Sequence, residues 1–457
     1  MTVMDDEKLP KTIEDGTSSH LERPLEIDPA IEKRIVRKID LRLMPFTVWI
    51  YLLCYMDRSN IGNAKILNAD AGHDLLDSTH MTTKEYTIAL MVFLVAYSIF
   101  EAPSNLAAKA LQPNYWLGFL VIGFGAFCTA IAGANSFAST SALRFFLGAF
   151  EAEERATRIA LFLCSATLAG AFGGAIAFGV GHMDGRLGLE GWRWLFIVEG
   201  VPSIVLGILT FLFMPSYPEK AGWLTEEEKA IQVARLGVNS SHGEAKLNWE
   251  DAKATLKDVR LYVHYITYMC IGVGVSSLSL FAPTIVSGLG YKNLQAQLFT
   301  IPPYAVAYVV TLVLAMISDH KKTRGLVAGG CFLFGTIAFI IQACLPGKLY
   351  AARYAMLCIS TAGVFAGLPP LCAWISDNVR TTTAGSLATG LNIAFTGPGQ
   401  IIGVWIYRAQ DAPFYRLGHG INAGFLAVGT VLSFSLWWHY TRLNKKLVGT
   451  NEPRWIA

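Results

Sequence analysis

Residues 141–162 read SALRFFLGAFEAEERATRIALF, an apolar run that holds Arg144 and Glu151 and then meets Glu153, Glu154, Arg155 and Arg158. Counted from Phe137 to Ala152, the run is about 16 residues long and rises about 24 Å as a helix, against roughly 30 Å of hydrocarbon in a bilayer. The stretch is therefore either a membrane helix carrying working charges or one that stops too soon to cross. The rest of the chain decides which.

Of the 457 residues, 53% are hydrophobic and only 16% charged. Soluble domains carry roughly a quarter charged residues. The net charge of +3 leaves no nucleic-acid footprint. Long apolar runs recur near 43–57, 86–108, 116–134, 137–152, 159–181, 192–214, 262–286, 298–318, 325–346, 351–376, 386–407 and 420–440. Most hold the roughly 20 residues that a crossing helix requires, and none alternates as barrel strands would. The expected fold class is all-α and integral to the membrane, because only helices satisfy their backbone polar groups within a single segment there.

The runs divide evenly around a polar stretch. This predicts an N-terminal tail over 1–42, a first membrane bundle over 43–214, a linker over 215–261, a second bundle over 262–443 and a C-terminal tail over 444–457. Lys220, Lys229, Arg235, Lys246, Lys253, Lys257 and Arg260 crowd the linker, whereas NSFASTS at 135–141 is uncharged. The positive-inside bias then puts the linker, both tails and SDHKKTRG at 318–325 in the cytosol. Within the N-terminal tail, IEKRIVRKID spaces Ile31, Ile35 and Ile39 four apart. That pattern fits a short surface-lying amphipathic helix or a disordered tail. All eight cysteines lie in or beside apolar runs without metal-ligand spacing, so they are read as packing residues. In run five, Ala166, Gly170 and Gly174 form a small-residue face to which another helix can come close.

Ionisable residues interrupt this apolar background. They are Asp57 and Arg58 at the end of run one, Glu101 with Asn105 in run two, Arg144 and Glu151 in run four, and Arg193 and Glu199 in run six. Each such charge costs at least about 2.5 kcal/mol near the bilayer centre, so it faces a partner or a wet cavity.

The motifs around these charges are MDRSNIGNAKI at 56–66, FEAPSN at 100–105, RFFLGAFEA at 144–152, GWRWLFIVEGVPS at 191–203 and SDHKKTRG at 318–325. In that combination the sequence resembles the major facilitator superfamily, and within it the anion:cation symporter branch and its fungal allantoate-permease-like group. The resemblance implies the major facilitator fold of two six-helix bundles, alternating access around a central site, and import of a small organic anion together with protons. Carried over residue by residue, it makes Asp57 and Glu151 the proton-coupling carboxylates and Arg58 and Arg144 the substrate-binding cations. Glu101, Asn105 and Glu199 become domain-packing or gating groups, and Asp319, Lys322 and Arg324 a cytosolic gate latch, for which a solvated basic loop is the alternative. It implies no cofactor and no metal, a monomer in the lipid bilayer, most naturally that of the plasma membrane, and no nucleic-acid partner.

The chemistry of the residues agrees. Arg144 and Glu151 are seven apart and share one helix face. An arginine fork grips a carboxylate at two points, and an acid desolvated beside it can take up or release a proton as the site opens and closes. A structural ion pair is the alternative for Arg144 and Glu151, and a place at the water interface is the alternative for Asp57 and Arg58. In the second half, Asn392 and Gln400 either face the cavity opposite these charges, with Asn392 the first candidate for substrate binding, or pack against a neighbouring helix, and Trp374 and Trp405 either line the same path or pack in the same way.

The sequence departs from the family at one place. The family continues run four beyond the EA pair with a Gly and Pro-Gly segment and then aromatic residues, whereas here Ala152 joins Glu153 directly, as in an internal deletion. A shortened transmembrane helix 4 is expected, with Glu151 drawn towards the cytosolic surface; the alternative reading is a transport-inactive or folding-impaired isoform. One enzyme motif also occurs, His73 and Asp77 in the H-x-x-x-D spacing of some membrane acyltransferases. With no supporting constellation, it is read as chance.

Overall fold

The computed structural model describes residues 29–151, 159–214, 222–236, 249–291, 293–379, 381–447 and 454–457. Among these residues the chain is all helix and turn. The first half comprises α1 (Pro29–Ala64), α2 (Thr83–Leu111), α3 (Pro113–Ile131), α4 (Phe137–Ala149), α5 (Ile159–Gly181) and α6 (Gly191–Phe213). The second comprises α7 (Val259–Gly288), α8 (Ile301–Lys321), α9 (Arg324–Cys344), α10 (Tyr350–Asp377), α11 (Thr382–Trp405) and α12 (Arg416–Lys446). Among the described residues, nine of these helices are long and apolar enough to cross a membrane; α4 is not one of them.

The helix boundaries follow local chemistry. A capping box formed by Thr82 and Glu85 starts α2, and Ser136 caps α4 through the backbone N–H of Ser139. Run ten is one crossing that breaks at Gly367, just before Leu368-Pro369-Pro370 starts its second part. Pro103, Pro202 and Pro398 lie inside α2, α6 and α11.

Two boundaries differ from the sequence reading. The segment IEKRIVRKID is not a separate surface helix: it forms the first turns of α1, with Ile35 buried and Lys38 paired to Glu228 of the linker at 2.7 Å. At its other end α1 runs on through Asp57 and Arg58 to Ala64. The charges do not end the helix because both side chains are taken up inside the protein.

The packing repeats with an offset of six. In the first half α3 packs on α6, α2 on α4, and α1 on both α5 and α6; in the second half α9 packs on α12, α8 on α10, and α7 on both α11 and α12. Between the halves, α5 meets α8 and α2 meets α11, a pair of contacts exchanged by the same offset. This is the arrangement of two parallel repeats facing each other.

The halves meet tightly at the end away from the linker. Gln297 Nε2 donates to the Asn63 carbonyl at 3.0 Å, and the Lys65 ammonium lies over the rings of Tyr86 and Phe281. The small face of α5 is what lets α8 approach: a Cβ on Gly170 would stand 2.7 Å from the Tyr304 ring, and one on Gly174 would strike Thr300. Replacing Gly170 by Leu is expected to lower the thermal stability of the detergent-solubilised protein by about 1–3 kcal/mol, the usual penalty of overpacking. An unchanged melting curve would show that the α5–α8 approach is looser than this.

Candidate functional site

Arg58 on α1, Arg144 on α4, Glu151 just past the end of α4 and Gln400 on α11 come together where the two halves meet. Arg58 reaches across both halves. Its Nη1 lies 3.4 Å from Glu151 Oε1, and its Nη2 donates to Gln400 Oε1 on α11 at 2.6 Å. Arg144 is fully buried. Its guanidinium lies 4.3 Å from the centre of the Phe93 ring, and its Nη1 stands 3.5 Å from the Arg58 carbonyl. Neither Nε nor Nη2 of Arg144 has a hydrogen-bond partner among the described residues.

Two sequence expectations are corrected here. Arg144 and Glu151 do not share a helix face, because α4 ends at Ala149, within 13 residues of its start. Phe150 turns out of the helix and packs its ring against Phe119 and Phe127 of α3 at 5.4 and 5.3 Å. Nor is Glu151 drawn to the surface. Its side chain is only 7% exposed and forms an ion pair with Arg58 at 3.4 Å, with Arg144 as a further electrostatic neighbour.

Asp57 faces away from Arg58, into the first bundle. Its Oδ2 accepts from Ser203 Oγ of α6 at 2.9 Å, its Oδ1 has no partner among the described residues, and Glu199 is its electrostatic neighbour. In the second half Gln400, not Asn392, joins the charged cluster. Asn392 is buried on α11, and its Oδ1 is without a partner among the described residues. Trp374 does not line a path between the halves: its indole N–H donates to the Ile456 carbonyl of the C-terminal segment at 2.8 Å. Trp405 is partly exposed.

The remaining predicted groups separate by place. Glu101 lies half-buried on α2, and the side chain of Asn105 falls outside the described residues. Arg324 pairs with Asp319 and also with Asp377 at 3.0 Å, tying together the linker-side ends of α8, α9 and α10. Lys322 is exposed at the C-cap of α8, in a left-handed conformation. Arg193 donates to the carbonyls of Ala132 and Ala134 and so closes the C-terminal end of α3. Sequence reasoning gave no role to Ser203, nor to Tyr55, whose hydroxyl meets Ser279 of α7 across the halves. Only their placement on the charged helices would have pointed to them.

His73, in the loop after α1, does not pair with Asp77. Its Nδ1 lies 2.7 Å from Asp184 Oδ2 in the loop after α5. The hydrogen bond first, and the carboxylate charge second, hold this imidazole above its ordinary value. The pair's contribution is therefore complete below the unperturbed histidine pKa and is lost as pH rises through the elevated one. An Asp184→Asn variant should bring the His73 titration midpoint, followed by NMR of labelled imidazole, down towards the unperturbed value; an unmoved midpoint would deny the pair.

A pseudo-repeated helical bundle with opposed charged and amide groups where its halves meet defines a membrane transport protein of the two-bundle type. The chain belongs to the Major Facilitator Superfamily, whose family model matches residues 47–404. It is 46% identical to the MFS transporter prlL of a fungal species (strain NRRL 50135) over 95% of this chain and 92% of the relative. It is 28% identical to the high-affinity nicotinic acid transporter of Saccharomyces cerevisiae over 91% of this chain and 79% of the relative. Among solved structures, the partially occluded, inward-open form of the xylose transporter XylE from E. coli superposes with a TM-score of 0.66 at 12% identity, covering 87% of this chain and 98% of that one. The chain is thus a multi-pass membrane protein of a transporter family.

Proposed function

We propose that this chain imports a small organic anion across the plasma membrane together with protons, as a member of the anion:cation symporter branch. The observation that carries the reading is Arg144, a fully buried guanidinium with two nitrogens that no described group satisfies. A buried cation left in this way is costly unless an anion completes it. A planar carboxylate is the anion that the arginine fork fits at two points.

Arg58 supplies the second element. It holds Glu151 on the first half and Gln400 on the second, so the same guanidinium links the two bodies that alternating access must move apart. Protonation of Glu151 removes the charge that holds Arg58 and frees the guanidinium for substrate, which ties the proton to the anion. The name of the nicotinic acid transporter supports the carboxylate class.

The test is radiolabelled uptake of nicotinate, allantoate, pantothenate and a dipeptide in cells expressing the full chain. Expected is accumulation of at least one of them that rises as the outside is acidified and collapses with a protonophore. Surface-located protein that accumulates none would overturn the reading.

A further inference from the structure

Away from the charged cluster, the second part of α10 is jointed to the rest of its helix. It runs from Leu368 to Asp377, behind the break at Gly367, and packs on α5 of the first half. Pro369 and Pro370 bring no N–H to bond back to Phe365 and Ala366, so the helix ladder lacks two rungs across the break. A helix joined in this way bends there unless something holds its far end.

Residues 455 and 456 hold that end. Asn378, at the C-cap of α10, takes both polar groups of Ile456: its Nδ2 donates to the Ile456 carbonyl at 2.8 Å, and its Oδ1 accepts from the Ile456 N–H at 2.8 Å. Asn444 of α12 treats Trp455 in the same way, at 2.7 and 2.8 Å. Each amide thus matches the donor and the acceptor of one residue together, as a paired strand neighbour does. The indole N–H of Trp374, buried on the second part of α10, is a second donor to the Ile456 carbonyl at 2.8 Å. The Trp455 ring carries the Arg260 guanidinium of α7 at 4.5 Å from its centre and stacks on Tyr440 of α12 at 5.8 Å. The other tie on this part of α10, Arg324 to Asp377, is a partly exposed ion pair, and such pairs add little. On one side Trp455 borders an open cleft of about 410 Å³ lined also by Asp258, Thr381 and Ala384, so no helix has to unfold for the segment to leave its seat.

We propose that Trp455 and Ile456 form a strap that locks the hinge of α10. With the strap seated, the second part of α10 moves as one body with α7 and α12. With the strap released, that part swings about Gly367 and changes how the second half meets α5. A swing of about 20° carries Asp377, about 15 Å from the break, through about 5 Å. That the lock governs transport rests on the transport reading above; that it fixes the hinge does not.

Double electron–electron resonance on the full chain in liposomes, with spin labels carried by ketone amino acids, tests the lock without any substrate. One label replaces the exposed Val431 of α12; the other replaces either Ser376, on the second part of α10, or Tyr350, at the start of its first part, both exposed. With the strap intact each pair should give one narrow distance. Trp455→Ala combined with Ile456→Pro, which removes the stacked ring and the N–H, should shift or widen the distance from Ser376 by about 5 Å and leave that from Tyr350 unchanged. Asn378→Ala combined with Asn444→Ala cuts the same bonds from the helix side and should act alike, so failure of one variant to fold leaves the other. A distance from Ser376 that stays narrow without the strap would overturn the lock. Both distances widening together would overturn it too, since the strap would then support the whole bundle and not the hinge. A wild-type chain that accumulates no anion would count against the proposed transport and not against the strap.

Discussion

Replacing Arg144 by Gln is expected to reduce anion uptake by at least about 100-fold while leaving the protein no less stable. Each hydrogen bond from a charged donor contributes about 1.5–3 kcal/mol, and about 1.4 kcal/mol is tenfold, so losing a two-point grip on a carboxylate reaches that range. Stability should respond differently. In the resting protein this guanidinium is fully buried with Nε and Nη2 unsatisfied among the described residues, so its removal discards a cost. Arg144→Lys should be nearly as inactive, because an ammonium is a point charge without the planar fork. Uptake and melting temperature measured on the same preparations separate the roles. A variant that melts well below the wild type would make Arg144 a structural group, and one that transports normally would remove it from the site.

The second large effect concerns the length of α4. At 13 residues this helix rises about 20 Å, some 10 Å less than the hydrocarbon it has to span, and fractions of a kcal/mol per Å make a few kcal/mol of mismatch. Inserting seven apolar residues between Ala152 and Glu153 supplies two further turns, about 10 Å of rise, once Phe150 and Glu151 wind on from the present end of α4 at Ala149. The lengthened chain is expected to melt several degrees higher and to accumulate in the membrane fraction in greater amount. Equal stability and membrane level in the two chains would show that the short helix is accommodated without strain.

Much of this was legible in the residues. The apolar runs, their division around 215–261 and the charges at Asp57, Arg58, Arg144 and Glu199 stand out because an ionisable residue in an apolar run is costly and so marks itself. The small face of Gly170 and Gly174 was legible for a similar reason, since a missing side chain admits a neighbour, and Tyr304 and Thr300 fill that space. What misled was treating charges as ends. Asp57 and Arg58 closed run one on paper, but α1 continues through them because Ser203, Glu151 and Gln400 receive their side chains.

The sequence by itself determined that the chain is a helical membrane protein of two bundles and which side chains cannot be idle, because hydropathy and the cost of a buried charge are properties of a residue and its near neighbours. Only the tertiary structure decided who meets whom. Glu151 forms its ion pair with Arg58 on another helix, Gln400 and not Asn392 crosses from the second half, and Asp57 turns inward to Ser203 and Glu199. These partners lie on different helices far apart in the chain, and their contacts depend on where α4 ends and how closely α5 packs on α8. Those are matters of packing, which no spacing along one helix records.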